Sequence, residues 1–291
     1  MKKLFPLLAF LVTFQFFGQE DAWVFLKDKP NASTFIASPL TMLSQRALDR
    51  RIRRNIALDS KDVPIHSAYY SSIKTATGIT VLAKSKWLNA IHVQGTQTNI
   101  NNLKATFSFV DKIEFANRVL NKNSVGIKKS KQKKYEVETT NFNYGNASSQ
   151  INIIKGDYLH QQGYTGTGMH IAVLDGGFPN VDSMDAFKRI RDNGQILGGY
   201  DFVNRSTNFY LKEFSGSNLV NTHGTKVLST MAGYIENQYV GTAPDASYYL
   251  FTTEDTFNEV PLEESLWVEA AERSDSLGVD VINTSLGYSV F

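Results

Sequence analysis

The run Ile171-Ala-Val-Leu174 contains no polar residue and ends on Asp175-Gly-Gly177. A strand with one wet face alternates apolar and polar side chains. An unbroken apolar run bounded by glycines is the pattern of a strand buried on both faces, the normal state in a parallel sheet. The segments that follow keep the same logic. A helix is predicted to begin near His223, with Val227, Leu228, Met231 and Ile235 at helical spacing. Ser247–Phe251 reads as a second strand, Pro261–Ser276 as a helix and Val279–Leu286 as a third strand. Strand, helix, strand at this spacing predicts a parallel sheet with right-handed crossovers, so residues 151–291 form an α/β domain.

The 291 residues leave room for a second unit ahead of it. Residues 1–18 read as a signal peptide: Lys2 and Lys3 precede an uncharged run from Leu4 to Phe17, and Gly18 supplies a small residue. A membrane anchor is the alternative, but the run is short for a spanning helix of about 20 residues. Residues 20–117 predict a small α+β domain. Its strands fall at Trp23–Lys27, Ile79–Ala83, Trp87–Val93 and Phe109–Phe115. Helices follow Ser44 as N-cap, span His66–Ala76 with Gly78 placed for a C-cap, and span Thr98–Thr106 with Thr98 as cap. That order matches the split βαβ, ferredoxin-like arrangement with one extra helix. Arg46, Arg50, Arg51, Arg53 and Arg54 read as a solvated helix face and not a nucleic-acid patch, since Asp49 and Asp59 interleave and the net charge is only +2. Residues 118–150 read as an exposed linker, because Lys128, Lys129, Lys131, Lys133 and Lys134 crowd into seven residues. It is either a spacer or a segment cut during maturation. There is no cysteine, and hence no disulfide or thiolate site.

Three places carry candidate chemistry. Asp175 closes a buried parallel strand, where open α/β sheets place their sites, and the glycines behind it let the chain turn away. On position alone it reads equally as a turn or capping residue. His223 precedes Gly224 and Thr225 at the start of a helix with an apolar stripe, so packing would fix an imidazole that opens on a cleft, as a general base needs. His66, His92, His160 and His170 lack that setting and read as structural or surface residues. Asp280–Gly287 is a strand ending in small residues, either a core strand alone or also an edge for pairing an extended peptide. Gly163-Tyr-Thr-Gly-Thr-Gly168 suggests a dinucleotide site, but its glycines precede the strand instead of following it. Asp175, Asp182 and Asp185 lack the ligand spacing of a calcium loop.

Taken in order, these segments resemble the subtilisin-like serine proteases (subtilases). The resemblance lies in Gly166-Thr-Gly168 leading into Ile171–Asp175, then His223-Gly-Thr225 with Met231-Ala-Gly233, Gly241–Asp245, and Val281–Gly287. It implies an incomplete subtilisin-like parallel sheet with flanking helices, Asp175 as triad acid, His223 as triad base, and Ser285, Leu286 and Gly287 lining the substrate edge. It further implies that residues 20–117 are an inhibitory propeptide, and that the partners are polypeptide substrates and the chain's own propeptide, with no nucleic acid and no membrane after signal removal. The function expected is a secreted serine endopeptidase precursor, extracellular, periplasmic or at the cell surface. A catalytically dead propeptide-like inhibitor or peptide-binding protein is the alternative. No cofactor is expected; the family often binds calcium, but no site can be assigned. Three departures stand out. Gly176 replaces the usual Ser or Thr after the acid, so one hydrogen bond orienting the carboxylate is missing. Asp182–Ser217 reads as an enlarged surface insertion between the two catalytic residues. No Gly-Thr-Ser nucleophile motif or oxyanion Asn segment occurs, so the chain is expected to be a fragment, inactive alone.

Overall fold

A computed structural model describes residues 18–121 and 142–287. The expected signal peptide and the lysine group of the linker fall largely or wholly outside these residues. The first unit contains β1 (Gln19–Leu26), α1 (Ala32–Ala37), α2 (Gln45–Arg54), α3 (Ser67–Lys74), β2 (Ile79–Ser85), β3 (Ala90–Thr96), α4 (Gln97–Thr106) and β4 (Val110–Phe115). Its sheet order is β2-β3-β1-β4 with every pair antiparallel, which is the ferredoxin-like topology. Alternation along β1 turns Ala22, Val24 and Leu26 onto a core shared with Ile73, Ile91, Val93 and Ile100.

Local details differ from expectation. Ser44 caps α2 as predicted, accepting from Ala47 N at 3.1 Å. The cap of α4 is Thr96 and not Thr98, with Asn99 N donating to Thr96 Oγ1 at 3.2 Å. Thr75 ends α3, while Gly78 takes its positive φ in the turn beyond. Trp87–Asn89 forms the β2–β3 turn and not the start of a strand. Short α1 was not anticipated.

The second unit runs α5 (Ser148–Ile153), α6 (Gly156–Gln161), β5 (His170–Asp175), α7 (Lys188–Asp192), β6 (Ile196–Asp201) and a small hairpin of β7 (Phe214–Ser215) and β8 (Asn218–Leu219). It continues with α8 (His223–Ala232), a second hairpin of β9 (Tyr234–Ile235) and β10 (Tyr239–Val240), β11 (Ser247–Thr252), α9 (Leu262–Leu277) and β12 (Val281–Thr284). The order β12-β5-β11-β6 is parallel throughout. Ile171 and Val173 pack with Leu228 on the α8 side, Ala172 and Leu174 with Leu266 and Ala270 on the α9 side. β5 is therefore buried on both faces, as its composition demanded.

Residues 182–217 are not simply a surface insertion. Phe187 and Ile190 are fully buried, and Ile196–Asp201 joins the sheet as its edge strand. Ile235 lies in β9, because α8 stops at Gly233. Tyr144 and Ala147, within the expected linker, pack against Ile151 and Val240. The arginine face also departs from expectation: Arg53 and Arg54 are exposed, but Arg46, Arg50 and Arg51 contact the second unit. Glu272 of α9 holds the β2–β3 turn, accepting from Ser85 Oγ at 2.6 Å, Trp87 N at 2.9 Å and Lys86 N at 3.0 Å. No helix among the described residues is long and apolar enough to cross a membrane.

Candidate active site

β5 delivers Asp175 to the carboxyl end of the sheet, and α8 begins with His223 beside it. Their approach depends on Gly224. A Cβ there would lie 2.5 Å from Gly177 O and 2.9 Å from Asp175 Cβ, so any other residue would push α8 off the strand. Thr225 Oγ1 donates to Pro179 O at 2.8 Å, tying the helix to the turn after Asp175. Asn221 fixes the entry to the helix, with Nδ2 donating to Leu211 O at 2.8 Å and Oδ1 accepting from Glu213 N at 3.0 Å.

The resulting pair is compact. Asp175 Oδ1 lies 2.8 Å from His223 Nδ1 and also accepts from Gly176 N at 2.8 Å. Oδ2 is buried and has no hydrogen-bond partner among the described residues. The Asp175 side chain is 0% exposed and that of His223 58% exposed. Burial pushes the Asp175 carboxyl above its ordinary range, although the His223 contact and the Gly176 N–H pull it back. A carboxylate bonded to Nδ1 sets the imidazole tautomer with its proton on that nitrogen, leaving the Nε2 lone pair turned to the open side.

β12 pairs with β5 so that Thr284 stands opposite Leu174, which brings residue 285 level with Asp175. Ser285 and Gly287 are exposed there, and Leu286 is half-buried. The structure thus brings Asp175 and His223 into contact, while Ser285, Leu286 and Gly287 continue the neighbouring strand at the same end of β5. His92 and His160 lie in other surroundings. His92 is bonded to Ser265 Oγ at 2.8 Å and Asp21 at 3.0 Å, and His160 to Tyr144 OH and Thr242 O at 2.9 Å each. Sequence reasoning did not find the positioning roles of Asn221 and Gly224. Both flank His223 closely enough to have been suspected, but their partners lie 8 or more residues away in the chain.

Residues 21–136 match the family described as peptidase S8 propeptide domain, Bacteroidota, and residues 166–290 match the subtilase family. Subtilisin E of Bacillus subtilis (strain 168) is 36% identical over 138 residues, 47% of this chain and 32% of that protein. Subtilisin of Bacillus pumilus is 35% identical over 138 residues, 47% of this chain and 44% of that protein. The chain thus spans less than half the length of these curated relatives. Among solved structures, the epidermin leader peptide processing serine protease of Staphylococcus aureus is 14% identical, with a TM-score of 0.49, covering 93% of this chain and 50% of that one. On the strength of the two family matches, the chain belongs to the subtilase family and carries an N-terminal propeptide domain ahead of its subtilase part.

Proposed function

We propose that the protein is a secreted serine endopeptidase precursor in which Asp175 and His223 are two members of the catalytic triad, the nucleophilic serine lying outside residues 1–291. The observation that carries this reading is the 2.8 Å contact between a fully buried Asp175 carboxylate and Nδ1 of an exposed imidazole. Asp175 holds the tautomer and stabilises the imidazolium; His223 Nε2 takes the serine proton as the acyl-enzyme forms, then returns it to the leaving amine. Ser285, Leu286 and Gly287 offer backbone groups to an extended polypeptide beside that centre. Residues 1–18 direct export. The first unit acts as the inhibitory propeptide until the segment between the units is cut.

The test uses the intact protein and a chromogenic peptide. Asp175→Asn leaves the packing in place but favours the wrong tautomer, so kcat is expected to fall by about 10⁴-fold. His223→Ala is expected to fall at least as far. Activity within about tenfold of the unaltered protein in either variant would sink the assignment. Residues 1–291 alone, which contain no Gly-Thr-Ser nucleophile motif or oxyanion Asn segment, are expected to stay unlabelled by a covalent serine-protease probe.

A further inference from the structure

The C-terminus of α9 is an anionic, carbonyl-rich end. Its last carbonyls have no partner within the helix, the macrodipole is negative there, and Asp275 and Asp280 flank it. The first turns of α2 close over this end. Ser44 N donates to Ser276 O at 2.8 Å. Arg46 donates to Gly278 O at 3.0 Å and Gly168 O at 2.9 Å and pairs with Asp280. Arg50 donates to Val279 O and pairs with Asp275 at 2.5 Å, and Arg51 reaches Asp275 at 2.7 Å while also pairing with Asp62 of its own unit. The fit is close: a Cβ on Gly278 would stand 2.6 Å from Ala47 N. α2 lies in the chain between β1 and β2, apart from the β2–β3 turn that Glu272 holds.

We propose that this end of α9 is a docking site for an arginine-bearing helix, and that α2 occupies it as a second, electrostatic anchor of the propeptide. The inference rests on the latency reading given under Proposed function. The anchor reaches Gly168 O directly, and its partner Asp280 accepts from His170 N at the start of β5, whereas Asp175 stands at the other end of that strand, about 17 Å away for six residues. Its residues can therefore be changed without touching the catalytic pair. The guanidinium groups satisfy main-chain carbonyls as well as carboxylates, and the pairs are only partly exposed, so the contact is specific and still weakened by salt.

Two readouts test this. In the 291-residue chain, hydrogen exchange at residues 276–281 and along α2 is compared between the unaltered protein, Arg46→Gln/Arg50→Gln, and Asp275→Asn, which alters the opposite side should the first variant fold poorly. Exchange is expected to rise about tenfold in both variants, and about 1 M salt should raise it in the unaltered protein. In the intact protein, the lag before peptidase activity appears should shorten about threefold or more in both variants, with kcat and KM of the matured enzyme unchanged. Exchange and lag both unchanged in the two variants would overturn the anchor. If the unaltered protein shows no lag at all, the latency reading fails and the exchange result alone decides the docking site.

Discussion

Asp175 meets one of its two oxygens with hydrogen bonds and leaves the other, Oδ2, buried and unpartnered. The residue that follows, Gly176, offers that carboxylate only its N–H. Gly176 does not occupy the left-handed region, so a side chain is tolerated; its Cβ would stand 3.2 Å from Thr256 Cγ2, a tight but adjustable contact. Because burial raises the Asp175 carboxyl above its ordinary value near 4, its contribution to stability is full below that value and is lost as pH rises through the raised one. Gly176→Ser supplies a donor to the ionised form and lowers the carboxyl again. The variant is expected to gain roughly 1 kcal/mol at about pH 7.5 and little at about pH 3.5, read as a Tm difference between the two conditions. A gain that is equal at both, or larger in acid, would show that the hydroxyl does not reach Oδ2. Asp175 and His223 stood out in the sequence because each sits where one periodicity stops and a turn or helix begins, but position alone left Asp175 equally a turn or capping residue, and only the family resemblance paired the two. What Gly224 does was not legible, since it depends on the distance between a strand and a helix 48 residues apart in the chain.

Among elements, α9 has the most to explain. Its expected span, Pro261–Ser276, lies within one residue of the observed Leu262–Leu277, and Gly278 takes φ 76° at the C-cap. Its surroundings were not. Glu263, Ser265, Glu272 and Ser274 are buried on it alongside Leu266 and Ala270, so much of its polar surface is covered by partners instead of water, while Glu264 and Arg273 stay exposed. A sequence pattern distinguishes apolar from polar faces but cannot tell a polar face that meets water from one that meets hydrogen-bonding groups of another unit. The same ambiguity hid the arginines of α2. At the start of α9, Glu263 accepts from Asp255 N at 2.8 Å and Val260 N at 3.3 Å, pinning the loop after β11. Burial pushes its carboxyl up to about 7; Glu254 and Glu259 add to the shift, and the two N–H donors oppose it. With the folded value raised, the stability this group contributes is full below its ordinary value near 4.5 and lost as pH rises through about 7. Glu263→Gln removes that dependence. Its Tm relative to the unaltered protein should therefore climb between about pH 5 and about pH 7.5; a difference that stays flat or falls would refute the raised carboxyl.

At the scale of the whole molecule, the division into a ferredoxin-like unit and a parallel-sheet unit followed from composition and periodicity, but how they join did not. α9 belongs to both: one side completes the sheet core through Leu266 and Ala270, and the other receives β2, where Ala83 enters the same cluster. Glu272 is the polar centre of that contact, the acceptor for three donors of the β2–β3 turn. Glu272→Ala leaves Ser85 Oγ, Lys86 N and Trp87 N without it. Each buried donor left unpaired costs about 1–3 kcal/mol, so the interface is expected to open well before either unit unfolds. Hydrogen exchange separates the two events: residues 85–89 should lose protection by about tenfold or more while β5 and α8 keep theirs. Equal loss in β5 and α8 would mean that the two units unfold as one. In that case α9 is stable only with the propeptide in place, and removing the propeptide would require the rest of the protease domain to take over its support.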